Sequence, residues 1–108
     1  LYLYNTTKLI ALSNKNTKSD SFYLRFRDQL LQSQAWPGIY LFKFIVRYNS
    51  NESKQLKEYL SGYKGEITEN TSKNKKFLTL TFSYYADSPS EVIEIYRGVE
   101  FIDKIISL

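Results

Sequence analysis

The stretch IYLFKFIVR, residues 39–47, limits the fold more than any other part of the chain. Successive side chains of a strand point to opposite faces. Tyr40, Phe42, Phe44 and Val46 therefore share one face, and Ile39, Leu41, Lys43, Ile45 and Arg47 share the other. Burying an unpaired lysine is costly, so the all-apolar face belongs in the core. The face with Lys43 and Arg47 stays open or is covered only by a partner. A core of this kind needs large side chains, and seven Phe and ten Tyr supply them.

The flanking residues define the neighbouring elements. Trp36-Pro37-Gly38 is a stop before the strand, because proline disfavours helix in the residue preceding it and glycine frees the turn. Upstream, SDSFYLRFRDQLLQSQ is predicted as a helix capped by Ser19 or Asp20. Phe22, Phe26 and Leu30 recur there at four-residue spacing, with Tyr23 and Leu31 beside them. Downstream, SNESKQLKEYLSGY is predicted as a helix opened by Asn49 or Ser50, with Asn49 and Glu52 spaced as a capping box. Leu56, Tyr59 and Leu60 form its apolar stripe, and Gly62 is its expected stop.

KGEITENT reads as a short polar edge strand with Ile67 inward. After a turn at Ser72 to Asn74, KFLTLTFSYY alternates again. Leu78, Leu80, Phe82 and Tyr84 face one way, and Phe77, Thr79, Thr81 and Ser83 the other. In DSPSEVIEIYRGV, Ser88 is the expected cap, Pro89 the first helical position and Glu91 the return partner of the box. Val92, Ile95, Tyr96 and Val99 form one helical face, Gly98 is expected to loosen its end, and DKIISL closes as a strand.

The 108 residues fit one domain. Residues 1–19 are an extension rich in Asn, Thr, Ser and Lys, in which KLIAL is expected to gain order by docking. Residues 20–108 form a single domain whose first helix spans 20–34. After that helix the order is strand-helix-strand-strand-helix-strand. Right-handed crossovers turn it into a ferredoxin-like α+β sandwich: a four-stranded antiparallel sheet, order 4-1-3-2, with two helices on one face.

At this point the residues resemble a known family. WPGIYLFKFIV, SKNKKFLTLTF and SPSEVIEIYRGVEFIDKIISL look like the YbeD-like domain-of-unknown-function family, over about residues 21–108. The resemblance implies a ferredoxin-like fold similar to the amino-acid-sensing ACT regulatory domains, and it brings no catalytic residues with it. The family usually has glycine where this chain has Asn74, a residue that tolerates positive φ better than most.

Chemistry is limited by what is missing. Without histidine or cysteine there are no disulfides, thiolate nucleophiles, imidazole bases or the usual zinc ligands. Glu91 and Glu94 share a helix face, but Glu91 already serves as a cap. An acylphosphatase would need a glycine-rich anion cradle after the first strand, and RYNSNES has no glycine. The same gap weakens an ACT-type small-molecule sensor. The expectation is no catalysis, no cofactor and no metal. No apolar run approaches the ~20 residues of a membrane span, and the start of the chain lacks the basic region of a signal peptide. A cytoplasmic protein without a membrane partner is expected.

The net charge of +4 invites a nucleic-acid reading. KKFLTLTF fits part of an RNA-recognition strand at Lys75, Phe77, Leu80 and Phe82, and IYLFKF imitates another at Ile39, Tyr40 and Leu41. The registers conflict: stacking needs Tyr40 outward, which would bury Lys43 and Arg47. The basic residues are also scattered, apart from Lys73, Lys75 and Lys76 at a turn. The favoured expectation is a regulatory or interaction module that meets a protein, itself or another, through its open sheet face. Leu41, Lys43, Ile45, Arg47, Phe77, Thr79 and Thr81 are the candidate contact residues. An RNA-binding module and an ACT-type sensor are the alternatives.

Overall fold

The computed structural model describes residues 10–12 and 19–108. In chain order these form β1 (Ile10–Leu12), α1 (Asp20–Ser33), β2 (Gly38–Arg47), α2 (Asn51–Leu60), β3 (Gly65–Thr71), β4 (Phe77–Ala86), α3 (Pro89–Val99) and β5 (Ile105–Ser107). The protein is α+β, with one antiparallel sheet in the order β1-β5-β2-β4-β3. The four expected strands stand in the expected 4-1-3-2 order. A short fifth strand, β1, lies within the extension and pairs with β5, Ile10 opposite Ser107. It takes up backbone groups that β5 would otherwise leave unpaired on that side. Expectations for residues 1–9 and 13–18 lie outside the described residues.

The register of β2 is the one its alternation predicts. Phe42 stands opposite Phe82, Phe44 opposite Leu80 and Val46 opposite Leu78, and all six are buried. A slip by one residue would have put Lys43 into this layer and Phe42 into water. Leu56 and Leu60 of α2 and Val92, Ile95 and Val99 of α3 close the core from the helix side. Tyr96 sits among the strand aromatics, its ring 4.9 Å from that of Phe42 and its hydroxyl 3.0 Å from that of Tyr40. At the edge, Ile67 of β3 is partly buried against the same core.

In α1, Tyr23, Phe26 and Leu30 are buried and Phe22 packs at the margin. Leu31, expected in the same stripe, is exposed. The helix packs chiefly against α3, and leaning on one neighbour buries only a narrow stripe. The Tyr23 hydroxyl donates to the Glu100 carboxylate. Arg97 stacks its guanidinium 4.3 Å over the Tyr23 ring and bonds Asp20 at 2.9 Å. Burial, and then Glu100, push the Tyr23 hydroxyl well above the ordinary tyrosine pKa.

Caps and turns depart from expectation in detail. Ser50, not Asn49, caps α2: its Oγ accepts from the Ser53 N–H at 3.2 Å, and the Ser53 hydroxyl donates back to the Ser50 carbonyl at 2.8 Å. Asn49 takes the left-handed conformation at φ 54°, which asparagine tolerates. At α3 the Ser88 side chain makes no capping bond, and Glu91 accepts from the Asp87 N–H at 2.8 Å. In the β3–β4 turn the left-handed residue is Lys75, at φ 58°, and not Asn74. The Asn74 Oδ1 instead holds the turn, accepting from the Lys76 N–H at 3.0 Å and the Ser72 hydroxyl at 2.8 Å. Gly98 lies within α3, where it leaves room for the Tyr59 ring and hydroxyl.

Candidate interaction surface

The ladder places the expected contact residues side by side. On the face away from the helices, Leu41 stands beside Ser83, Lys43 beside Thr81, Ile45 beside Thr79 and Arg47 beside Phe77. β3 extends the same rows with Glu66, Thr68 and Asn70, and β5 sets Ile106 beside Ile45. Leu41 is 52% exposed and Phe77 48%. Lys43 is exposed, while Ile45, Thr79 and Thr81 are half-buried among their neighbours. A solvated sheet face normally carries polar side chains, and branched aliphatics at the centre of this one leave apolar area in water.

Three further residues enlarge the patch. Ile39 and Tyr85 stand opposite each other at one end of the β2–β4 pair, both exposed, and Ile106 adds an aliphatic side chain on β5. Ile39 follows from the alternation of residues 39–47, although the predicted contact set did not include it. Ile106 follows from combining the 4-1-3-2 order with alternation in IIS, because that order sets the last strand beside the aromatic one.

Charge on the face is sparse. Lys43 and Glu66 take part in no ion pair among the described residues. Arg47 is exposed at the end of this face and also has a partner on α2. Its Nε donates to Glu52 Oε2 at 2.6 Å and its Nη2 to Oε1 at 3.1 Å, a two-pronged contact across the strand-helix junction. Glu52 is almost wholly buried. Desolvation alone would raise its pKa, but the hydrogen bonds from Arg47 outweigh it and hold the carboxyl below the ordinary value. Arg47 therefore closes the end of the sheet with its charge already matched.

Beyond that end, the β2–α2 connection and the β3–β4 turn border an open groove of about 620 Å³, lined by residues 47–51 together with Lys75, Lys76 and Phe77. Neither lysine has an ion-pair partner among the described residues. On the helix side, Tyr59 donates to the Ile95 carbonyl at 3.2 Å, and burial raises its hydroxyl above the ordinary pKa. These groups bind α2 to α3 and form no nucleophile-base pair. Among the described residues no group of acidic side chains could hold a metal ion, and no helix is long and apolar enough to cross a membrane.

Compared with known protein families, curated proteins and solved structures, the chain matches none.

Proposed function

We propose that the protein is a non-catalytic, cytoplasmic regulatory or interaction module of ferredoxin-like topology, akin to the YbeD-like domains. It works by meeting a protein through its open sheet face. The observation that carries this reading is the aliphatic row Leu41, Ile45 and Ile106, placed on adjacent strands and left in contact with water. Strand order and helix placement support the ferredoxin-like description.

Capture of partners from native lysate tests the reading, with and without RNase, using the parent chain and an Ile45→Glu variant. Recovery that survives RNase and is lost in Ile45→Glu supports it. Recovery indifferent to Ile45→Glu overturns it.

A nucleic-acid reading draws on the end groove, where Phe77 follows Lys75 and Lys76, neither ion-paired among the described residues. Against it stands Tyr40, the expected stacking residue, which faces the core and bonds Tyr96. RNase-sensitive recovery lost on Lys75→Glu and retained in Ile45→Glu would favour this second reading.

A further inference from the structure

We propose that the occupant of the open face is a second copy of this chain, packed sheet on sheet about a two-fold axis running along the strands between β2 and β4. The proposal rests on the reading of that face as the working surface. An axis so placed exchanges the positions of β2 and β4, so each open-face residue of β2 lies over the position of its own ladder neighbour. Leu41 then meets Ser83 of the other copy, and Ile45 meets Thr79. Large branched side chains fall on small hydroxyl-bearing ones, which is how facing layers interdigitate. The strands stay nearly aligned, as in sandwich packing.

Charge favours the same pairing. Lys43 lands over Thr81 and not over its own copy. Within one chain Lys43 and Glu66 stand two strands and one row apart, on the order of 12 Å between Cα atoms, and do not pair. Across the axis the other copy's Lys43 stands one strand and one row from Glu66, across the ~10 Å between the sheets; both side chains point into that gap, and the relation repeats by symmetry. With Arg47 matched by Glu52, the described strand residues of the face carry one further charge of each sign, Lys43 and Glu66, on a chain of net charge +4. Two copies therefore meet without the repulsion that their whole charge would impose. About this axis β3 of one copy lies over β5 of the other, so the overlap takes in β5, β2, β4 and β3, roughly 450 Å² in projection. A specific interface buries ~800 Å² per partner, so the dimer takes up the whole of this face.

Sedimentation velocity of the full chain over a concentration series is expected to show a monomer–dimer equilibrium. Lys43→Glu sets a carboxylate near Glu66 of the other copy, and Thr81→Lys sets an ammonium beneath Lys43. Each variant alone is expected to dimerise at least about tenfold more weakly. Mixed, the two variants bring opposite charges together and are expected to form a heterodimer about as tight as the parent. Both substitutions lie outside the core, and an unchanged thermal unfolding curve checks the fold. A chain that stays monomeric, a dimer indifferent to both variants, or a mixture no tighter than either variant alone overturns the proposal. A monomer whose lysate capture is still lost on Ile45→Glu removes only the second copy. A monomer whose capture ignores Ile45→Glu removes the working surface as well.

Discussion

Tyr59 occupies the space that a side chain on Gly98 would need: a Cβ built there falls inside the van der Waals contact distance of the Tyr59 hydroxyl and ring. Two effects then oppose each other in Gly98→Ala. Helix propensity favours alanine by about 1 kcal/mol in a helix interior, while overpacking costs about 1–3 kcal/mol. The Tyr59 ring is held by its bond to Ile95 and by Tyr63, at a centroid distance of 5.7 Å, so it cannot simply swing away. The expected result is net destabilisation in urea unfolding. A second substitution, Tyr59→Leu, is expected to relieve part of the loss, which a double-mutant cycle would read as coupling.

Phe44 and Leu31 separate burial from hydrophobicity. Phe44 is fully buried, and Phe44→Ala is expected to cost about 3–5 kcal/mol. Leu31 is a large apolar residue on an exposed helix face, so Leu31→Ala is expected to change stability by no more than about 0.5 kcal/mol. Equal losses in urea titrations of the two variants would contradict the observed helix face.

The Arg47–Glu52 contact predicts the acid limb of stability. The folded-state pKa of Glu52 lies below its ordinary value of 4.5, so between the two values the unfolded chain binds more protons. The stabilisation is present above pH 4.5 and is lost as pH falls through the lower folded-state pKa. Urea midpoints of the parent and of Glu52→Gln, followed as a function of pH, should differ at neutral pH and converge in acid. A constant gap across the range would show that the carboxylate charge is not what matters.

Alkaline pH acts in the opposite sense. Burial raises the hydroxyl pKa of Tyr23, Tyr59 and Tyr84 above 10.0. A raised folded-state pKa means stability present below the unfolded value and lost as pH rises through the folded one. Ionisation of these three, read as tyrosinate absorbance, is therefore expected to coincide with loss of circular dichroism as pH rises. One uniform titration with the fold intact would refute this.

The legible part of the fold was the part governed by periodicity. Alternation in residues 39–47 placed Phe42 and Phe44 inside and Lys43 outside, because one charged side chain in a strand decides which face meets the core. The face of α3 was equally readable. Local polar chemistry was not. Asn49 and Ser50 both suit a cap, and in the structure Ser50 caps while Glu52 pairs with Arg47 across the strand-helix junction, a contact that the capping pattern does not encode. The space that Gly98 leaves for Tyr59, on another helix, was likewise not readable from its own segment. Of the candidate surface, Leu41, Lys43 and Ile45 were readable from one strand, whereas the juxtaposition with Ile106 required the sheet order as well.

β1 bears on how the molecule comes to be assembled. β5 lies between β1 and β2, although it follows both by more than fifty positions in the chain. A ribosome releases the two outer members of that trio long before the middle one exists. Until it emerges, β1 has no edge on which to form, and one side of β2 stays unfilled. Closing so distant a pairing carries a large loop entropy, which slows folding. For the interval of synthesis the nascent sheet exposes an unpaired side of β2, the strand that carries Phe42 and Phe44, and a chaperone holding the young chain would find its hydrophobic target there.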